Sequence, residues 1–136
     1  MQKLYISPTP TTPEINFSPE ENIFIISGTS APEDVREVYY PVIEWFKKFT
    51  DSIIEGSTVR FSPDNPFILK IDLEYFNSSS AKFLYDIFFE LRRFTPAGIP
   101  FSVHWYYDED DIDMKEAGYD ISMLVETEFV HIPKIC

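Results

Sequence analysis

The sequence has 136 residues, of which 44% are hydrophobic and 17% aromatic. A chain of this length and composition can bury one core without a metal ion or a disulfide, so we expect a single domain over residues 1–136. Its 23 acidic and 11 basic residues give a formal net charge of -12 at pH 7. That charge repels a phosphate backbone, which argues against nucleic acid as a partner.

The ends of the chain give no sign of export or of membrane insertion. The first residues lack the apolar run of a signal peptide, and no window of the sequence is long and apolar enough to cross a membrane. Cys136 is the only cysteine, so the chain forms no disulfide within itself. We expect a cytoplasmic protein.

The first predicted elements are an extended arm and a hairpin. Residues 7–13 are rich in Pro and Thr, a composition that opposes helix formation and favours an extended arm. The apolar runs at residues 14–17 and 23–26 flank a polar stretch with Pro and Asn. This pattern is typical of two strands joined by a turn.

A first helix is predicted to begin at Ser30. Ser30, Pro32 and Glu33 have the spacing of a capping box with proline in the first turn. Apolar residues then recur at three- and four-residue steps through Phe46, which predicts one buried face. Pro41 predicts a kink inside this helix.

The middle of the chain predicts a loop, a strand and a second helix. Residues 51–66 contain Gly56 and two prolines, as expected of a loop. Apolar and charged residues alternate over 67–75, which predicts a strand with one face on the core. Residues 77–80 end this strand and begin a second helix, whose apolar stripe lies within residues 83–91.

The last third of the chain predicts a strand, a third helix and a closing strand. Alternation over residues 101–107 predicts the strand, and the carboxylates of residues 110–113 suit the positive end of a helix dipole. Residues 128–132 predict the closing strand. The side chains expected to face inward from the third helix are Met114, Ala117, Ile121 and Leu124.

The order of these elements predicts an α/β fold. A strand, a helix and a second strand in succession usually place the two strands parallel to each other, whereas a hairpin makes them antiparallel. We therefore expect one mixed sheet covered by about three helices.

The sequence offers no convincing catalytic or metal site. It lacks a glycine-rich phosphate loop and a G-x-S-x-G motif, and His104 and His131 lack the spacing of a metal pair. An EF-hand loop beginning at Asp108 would have Asp113 at the glycine position and would end on Tyr119. We expect no enzymatic activity, no cofactor and no metal ion.

The strand–helix junction at Asn77, Ser78, Ser79 and Ser80 is the remaining candidate site. Asn and Ser are common helix caps, so capping alone explains one of these residues. A phosphate on a hydroxyl here is the alternative, because a helix N-terminus offers free N–H groups to the phosphate oxygens. Such a phosphate would repel a partner that docks through apolar or acidic groups.

At these residues the sequence resembles the SiaC family of bacterial regulatory phosphoproteins. The resemblance is carried by several blocks whose order and spacing agree with the family. They are Thr-Pro-Glu-Ile at 12–15, Ile-Ser-Gly at 26–28 with Ser30 and Pro-Glu at 32–33, Tyr-Phe-Asn-Ser-Ser-Ser at 75–80, and Val-His-Trp-Tyr-Tyr-Asp-Glu-Asp-Asp at 103–111.

The resemblance implies a fold related to the STAS domains of anti-sigma-factor antagonists and a partner-switching circuit. Members of the family are phosphorylated by a dedicated Ser/Thr kinase and restored by a metal-dependent Ser/Thr phosphatase. The unphosphorylated form binds and activates a diguanylate cyclase, which raises cyclic di-GMP and favours aggregation or biofilm growth.

The resemblance also implies the site of modification. The modified residue of the family is the threonine of an Asn-Thr-Ser-Ser stretch, and Ser78 occupies that position here, with Ser79 and Ser80 as alternatives. Two other functions remain open for the same fold. One is an anti-sigma-factor antagonist that controls transcription, and the other is a small anion-binding module or enzyme that uses the helix N-terminus.

Overall fold

The computed structural model describes residues 1–56 and 61–135, so Cys136 and part of the predicted loop at 51–66 lie outside the described residues. Within these residues the fold has six strands, three α-helices and a short 3₁₀ helix. In chain order they are β1 (Leu4–Ile6), β2 (Glu14–Ser18), β3 (Ile23–Ser30), α1 (Val35–Ile54), β4 (Phe67–Phe76), α2 (Ser78–Leu91), the 3₁₀ helix (Arg92–Phe94), β5 (Phe101–Asp108), α3 (Ile112–Leu124) and β6 (Phe129–Lys134).

The strands form one sheet in which their spatial order equals their order in the sequence. β1, β2 and β3 are antiparallel neighbours, whereas β3, β4, β5 and β6 run parallel. The parallel pairs are the ones connected through helices, because a crossover must return the chain to the same end of the sheet. The predicted mixed α/β sheet with three helices is confirmed, and β1 is an additional strand that the sequence pattern did not predict.

One side of the sheet carries the core. Alternate residues of the strands, such as Ile71 in β4 and Trp105 in β5, join buried residues of all three helices in a single apolar cluster. Among the described residues no helix covers the opposite side, which we call the open face. Its central row, in register across the six strands, is Tyr5, Asn16, Ile25, Lys70, His104 and Val130.

The boundaries of α1 differ from the prediction at both ends. Ser30 is the last residue of β3 and is buried, and the cap is Asp34, whose side chain accepts hydrogen bonds from the N–H groups of Arg36 and Glu37. The predicted start at Ser30 is therefore wrong, because its backbone pairs with Phe76 in the sheet. The helix also continues to Ile54, so the first residues of the predicted loop are helical.

The buried face of α3 was predicted correctly in part. Met114 and Ile121 are buried, but Leu124 is 55% exposed and Val125 takes the expected inward position. The helical period explains the error, since Val125 lies four residues after Ile121 on the same face. Gly118, also on this face, packs so closely on Trp105 that an added Cβ would lie 2.5 Å from the indole ring.

A register shift in β4 positions the beginning of α2. Gly28 pairs with Leu73, but the next residue, Thr29, pairs with Tyr75, so the strand holds one extra residue at Glu74. An extra residue reverses the alternation of side chains between the two faces. Phe76 consequently points to the core, where its ring lies 6.0 Å from that of Trp105.

The Pro- and Thr-rich arm at residues 7–13 connects β1 with β2. The carbonyl of Thr11 accepts a hydrogen bond of 2.8 Å from the backbone N–H of Ala31, and Pro13 is buried. The arm therefore lies against the segment that leads from β3 into α1. No α-helix in the described part of the chain has the length and apolar character to span a membrane.

Candidate functional site

The three helices all begin at the same edge of the sheet. β3, β4 and β5 are parallel, so their carboxyl ends meet there, and each strand is followed by the N-terminus of a helix. Asp34, Asn77 and Asp111 cap these helices through their side-chain oxygens. In open parallel sheets this edge is the usual place for binding sites.

Asn77 is the cap of α2. Its backbone is extended, and its side-chain Oδ1 accepts a hydrogen bond of 2.9 Å from the N–H of Ser80. Its own N–H donates to the carbonyl of Ser30 at 3.0 Å, which fastens the junction to the end of β3. Because Asn77 supplies the cap, none of the three following hydroxyls is needed for that purpose.

The three serines lie in different environments. Ser78 is exposed, and among the described residues its hydroxyl has no hydrogen-bond partner. Ser79 is also exposed, but its hydroxyl donates to Oδ1 of Asn77 at 3.1 Å. Ser80 is completely buried. Of the three hydroxyls, that of Ser78 is the one that is both exposed and without a hydrogen bond within the described residues.

Ser80 belongs to a buried hydroxyl triad with Ser30 and Tyr39. Ser80 Oγ donates to the carbonyl of Ser30 at 2.9 Å, and Ser30 Oγ donates to Ser80 Oγ at 2.8 Å. Each hydroxyl has one hydrogen, so Tyr39 must be the donor in its 2.6 Å contact with Ser30 Oγ. The triad ties β3, α1 and α2 together directly beneath the junction.

Tyr39 is the member of the triad that links it to α1. Burial raises the pKa of Tyr39. The sequence pattern identified Tyr39 only as a core residue and Ser30 only as a cap. Neither residue type carries a signal for a hydroxyl network, because the network depends on the long-range approach of β3 to α2.

We expect Tyr39→Phe to lower the free energy of unfolding at pH 7 by about 1 kcal/mol, the typical net value of one hydrogen bond. The folded protein has the higher Tyr39 pKa, so the unfolded chain ionises first and this contribution is lost above about pH 10. Urea denaturation at pH 7 and pH 10.5 measures both effects. Tyr40→Phe is the control, since Tyr40 is 58% exposed and its substitution should leave stability unchanged.

The surface beside Ser78 is partly apolar and includes the cation of Lys82. Lys82, four residues after Ser78 and so on the same face of α2, is exposed and lies 5.8 Å from the centre of the Phe83 ring. The ring of Tyr40, on α1, lies 5.8 Å from that of Phe83. A phosphate on Ser78 would meet the N-terminus of α2 and the ammonium group of Lys82.

Two residues of the acidic run at 108–111 have structural partners. Asp111 caps α3 by accepting a hydrogen bond of 3.0 Å from the N–H of Met114, and Asp108 lies 3.7 Å from the ammonium group of Lys134. Within residues 1–56 and 61–135, no group of three or more His, Cys, Asp or Glu side chains is arranged to hold a metal ion.

The two histidines lie away from the junction and apart from each other. His104 is on the open face, where burial and the charge of Lys70 both lower its pKa. His131 stacks on Tyr119 of α3 with ring centres 3.7 Å apart, and burial lowers its pKa. Among the described residues, neither histidine forms a hydrogen bond with the three serines.

Comparison with known proteins places this fold among characterised and uncharacterised relatives. The model of the SiaC family of regulatory phosphoproteins matches residues 6–134. An uncharacterized protein of Pseudomonas aeruginosa is 32% identical over 108 residues, which cover 79% of this chain and 78% of the relative.

Two solved structures match the fold of this chain over all or nearly all of its length. The structure of SiaC of Pseudomonas aeruginosa has 26% sequence identity and a TM-score of 0.75, and the match covers 100% of both chains. The crystal structure of the diguanylate cyclase SiaD in complex with its activator SiaC, also from Pseudomonas aeruginosa, matches at 26% identity with a TM-score of 0.79. This match covers 98% of this chain and 99% of the other chain.

Proposed function

This chain belongs to the SiaC family of regulatory phosphoproteins, and from that premise we propose that it is a non-enzymatic, cytoplasmic signalling protein controlled by phosphorylation of Ser78. Its unphosphorylated form binds and activates a diguanylate cyclase. The SiaC protein of Pseudomonas aeruginosa is the activator of the diguanylate cyclase SiaD and forms a complex with it. We infer the same kind of partner for the present chain.

The observation that carries the proposal is the exposed Ser78 hydroxyl at the N-terminus of α2. A kinase must reach the hydroxyl that it modifies. Ser80 would have to leave the buried triad first, and Ser79 would have to give up its bond with Asn77. Modification of Ser78 requires neither change, which favours it over its two neighbours.

The fold can accept a phosphate at this position. The backbone N–H groups of Ser78 and Ser79 have no hydrogen-bond partner among the described residues, and the helix dipole favours negative charge beside them. Lys82, one turn further along the helix, adds a cation. Phosphorylation at Ser78 therefore leaves the domain folded and changes only its surface.

The same phosphate opposes binding of a partner at this corner. It adds about -1.5 to -2 charges to a chain that already carries -12. A partner that contacts the exposed Tyr40 through apolar side chains would have to desolvate this charge, and a partner with carboxylates would be repelled by it. The switch thus acts on association and not on folding.

The covalent steps are carried out by two partner enzymes. A Ser/Thr kinase transfers the phosphate and a metal-dependent Ser/Thr phosphatase removes it, so the metal ion belongs to the phosphatase. In this arrangement the chain itself needs no nucleophile, base or cofactor. Its output is the activity of the cyclase that it holds.

Intact mass and peptide mapping of the protein from its native cells test the proposal. We expect one phosphate on Ser78 that a Ser/Thr phosphatase removes, and we expect a Ser78→Ala variant to carry none. Phosphate on Ser79 or Ser80 in that variant would move the site. Unmodified protein under every growth condition would overturn the proposed control.

A further inference from the structure

The open face contains a region that differs in charge from the rest of the protein. This cationic patch consists of aliphatic residues around one lysine and one histidine on β3 to β6. Its members are Ile23, Ile25, Ile68, Lys70, His104 and Val130. It contains no carboxylate, although the chain as a whole has 23 acidic residues.

The remainder of the open face is neutralised or acidic. Towards the carboxyl edge, Asp72 lies 2.6 Å from the ammonium group of Lys134, which also approaches Asp108. At β2, Glu14 accepts a hydrogen bond of 2.8 Å from the hydroxyl of Tyr5. Asp72 lies two residues after Lys70 on the same face and borders the patch, but Lys134 neutralises its charge, whereas Glu14 lies on β2 outside the patch.

Lys70 lies at the centre of the patch. Within residues 1–56 and 61–135 its ammonium group has no carboxylate within ion-pair distance. In the sheet it pairs with Ile25 on one side and with His104 on the other. Its positive charge therefore lies on an aliphatic surface without a neutralising neighbour, where a carboxylate of another molecule would be attracted.

The aliphatic members of the patch are incompletely buried. Val130 is 46% and Ile23 is 38% exposed, and Ile25 and Ile68 are half-buried. Ile23, Ile68 and Lys70 also border a shallow cleft of about 280 Å³ between β3 and β4. Contiguous exposed apolar side chains of this kind are typical of protein–protein interaction surfaces.

We propose that the cationic patch binds an amphipathic α-helix of a protein partner. Aliphatic residues of that helix lie against Ile23, Ile25 and Ile68, and an Asp or Glu side chain lies against Lys70. Four strands spaced about 4.8 Å apart span about 14 Å, which accommodates a helix about 10 Å wide. This surface is separate from the Ser78 corner, and the proposal does not depend on phosphorylation.

Charge disfavours the other obvious occupants. A second copy related by a two-fold axis through the patch would place Lys70 near its own counterpart and bring together two chains of charge -12. Anionic membranes and nucleic acids are repelled by the same net charge. An acidic amphipathic helix is also repelled by most of the surface, but the patch attracts it.

A panel of synthetic 18-residue amphipathic helices tests the proposal by NMR titration of the isotope-labelled full chain. Each peptide has a Leu/Ile stripe with a flanking Glu, and a matched peptide has Lys in place of that Glu. We expect saturable shifts at the amides of residues 68–70, 102–104 and 130 with the Glu peptides. The Lys peptides should bind at least about threefold more weakly.

Single substitutions test whether the peptides bind at the cationic patch. Lys70→Glu should weaken binding by about three- to tenfold, and Val130→Asp, at a position that tolerates exposure, should weaken it further. Lys115→Glu makes the same change of charge at an exposed position on α3 and is the control, for which we expect unchanged binding. Ser78→Asp should also leave this binding unchanged, which separates the result from that of the proposed function.

Three outcomes of the peptide titration would overturn the proposal. They are the absence of saturable binding with any Glu peptide up to 1 mM, equal affinity for Lys and Glu peptides, and shifts confined to the helices. A further contrary result is a change of the same amides on raising the protein concentration without peptide, since that would assign the patch to a second copy.

Discussion

Replacing Ser78 with aspartate is expected to weaken binding of the diguanylate cyclase by about ten- to a hundredfold. The thermal unfolding midpoint should stay within about 2 °C of that of the wild type, because an exposed substitution of this kind costs little stability. Isothermal titration calorimetry with the cyclase from the same organism measures the affinity, and differential scanning calorimetry measures the midpoint.

Cyclase affinity and thermal stability respond differently because the substitution lies at a helix N-terminus. A carboxylate at the first residue of α2 interacts favourably with the helix dipole, and Asn77 continues to cap the helix through its contact with Ser80. Binding responds differently, since a partner at this corner must desolvate or oppose the added charge. The added charge thus leaves the domain folded but weakens binding of the partner.

Two control variants test whether the added charge at Ser78 is the cause of weaker binding. Ser78→Thr keeps a hydroxyl and adds no charge, so we expect it to bind the cyclase as the wild type does. Ala97→Asp adds the same charge in the exposed turn between α2 and β5, at the opposite edge of the sheet, and should also bind normally. Equal affinity of Ser78→Asp and wild type would contradict the proposed switch.

The largest effect on stability is expected from Gly118→Ala. At an exposed helical position this substitution would stabilise the helix by about 1 kcal/mol. Here the new Cβ would lie 2.5 Å from Cδ1 and Nε1 of Trp105 and 2.8 Å from Cγ. Overpacking of a core typically costs about 1–3 kcal/mol, so the clash outweighs the gain in helix propensity.

Trp105 has little room to move away from this clash. Its Nε1 donates a hydrogen bond of 3.0 Å to the carbonyl of Met114 in α3, and the side chain is completely buried. Its ring also contacts Phe76 and stacks on Phe129 at 6.0 Å. Displacement of the indole would therefore break a buried hydrogen bond, which costs about 1 kcal/mol more.

We therefore expect Gly118→Ala to lower the free energy of unfolding by about 1–3 kcal/mol and the thermal midpoint by several degrees. Urea denaturation followed by tryptophan fluorescence measures the change. Glu116→Ala, at an exposed position of the same helix, should leave the midpoint nearly unchanged. A midpoint for Gly118→Ala above that of the wild type would show that the helix moves aside without loss.

Most of the fold follows from patterns that are local in the sequence. The alternation along β4 and β5 identified both strands and their buried faces, because one side of the sheet packs on the helices and the other does not. Tyr75 is the exception, since the extra residue at Glu74 turns it outward and leaves it 55% exposed. Asn77 was a candidate cap because its short side chain can reach the first free N–H groups. These features depend only on residues that are close in the chain.

The errors arose where distant residues decide the structure. Ser30 has the spacing of a helix cap, but its backbone pairs with Phe76, which is far away in the sequence. β1 is three residues long and forms because β2 offers it an edge. The sequence likewise gave no reason to single out Gly118, since its requirement for a missing side chain comes from Trp105 of another element.

The sequence identified the position of the candidate site but did not distinguish its three serines. Three consecutive hydroxyls look equivalent in the printed chain, whereas the fold buries Ser80, engages Ser79 and leaves Ser78 exposed. The difference comes from the helical turn, which directs Ser80 towards Ser30 and Ser78 away from it. The choice among the three serines therefore required the arrangement of β3 beside α2.

The identity of spatial and sequential strand order has a consequence for synthesis on the ribosome. Each strand pairs only with its immediate predecessor and successor, so the nascent chain can extend the sheet as it emerges, from the β1–β3 meander onward. No strand pairs with a strand that is synthesised much later. Growth ends at β6, whose Pro133 lacks an N–H group and makes that edge a poor template for pairing with another chain.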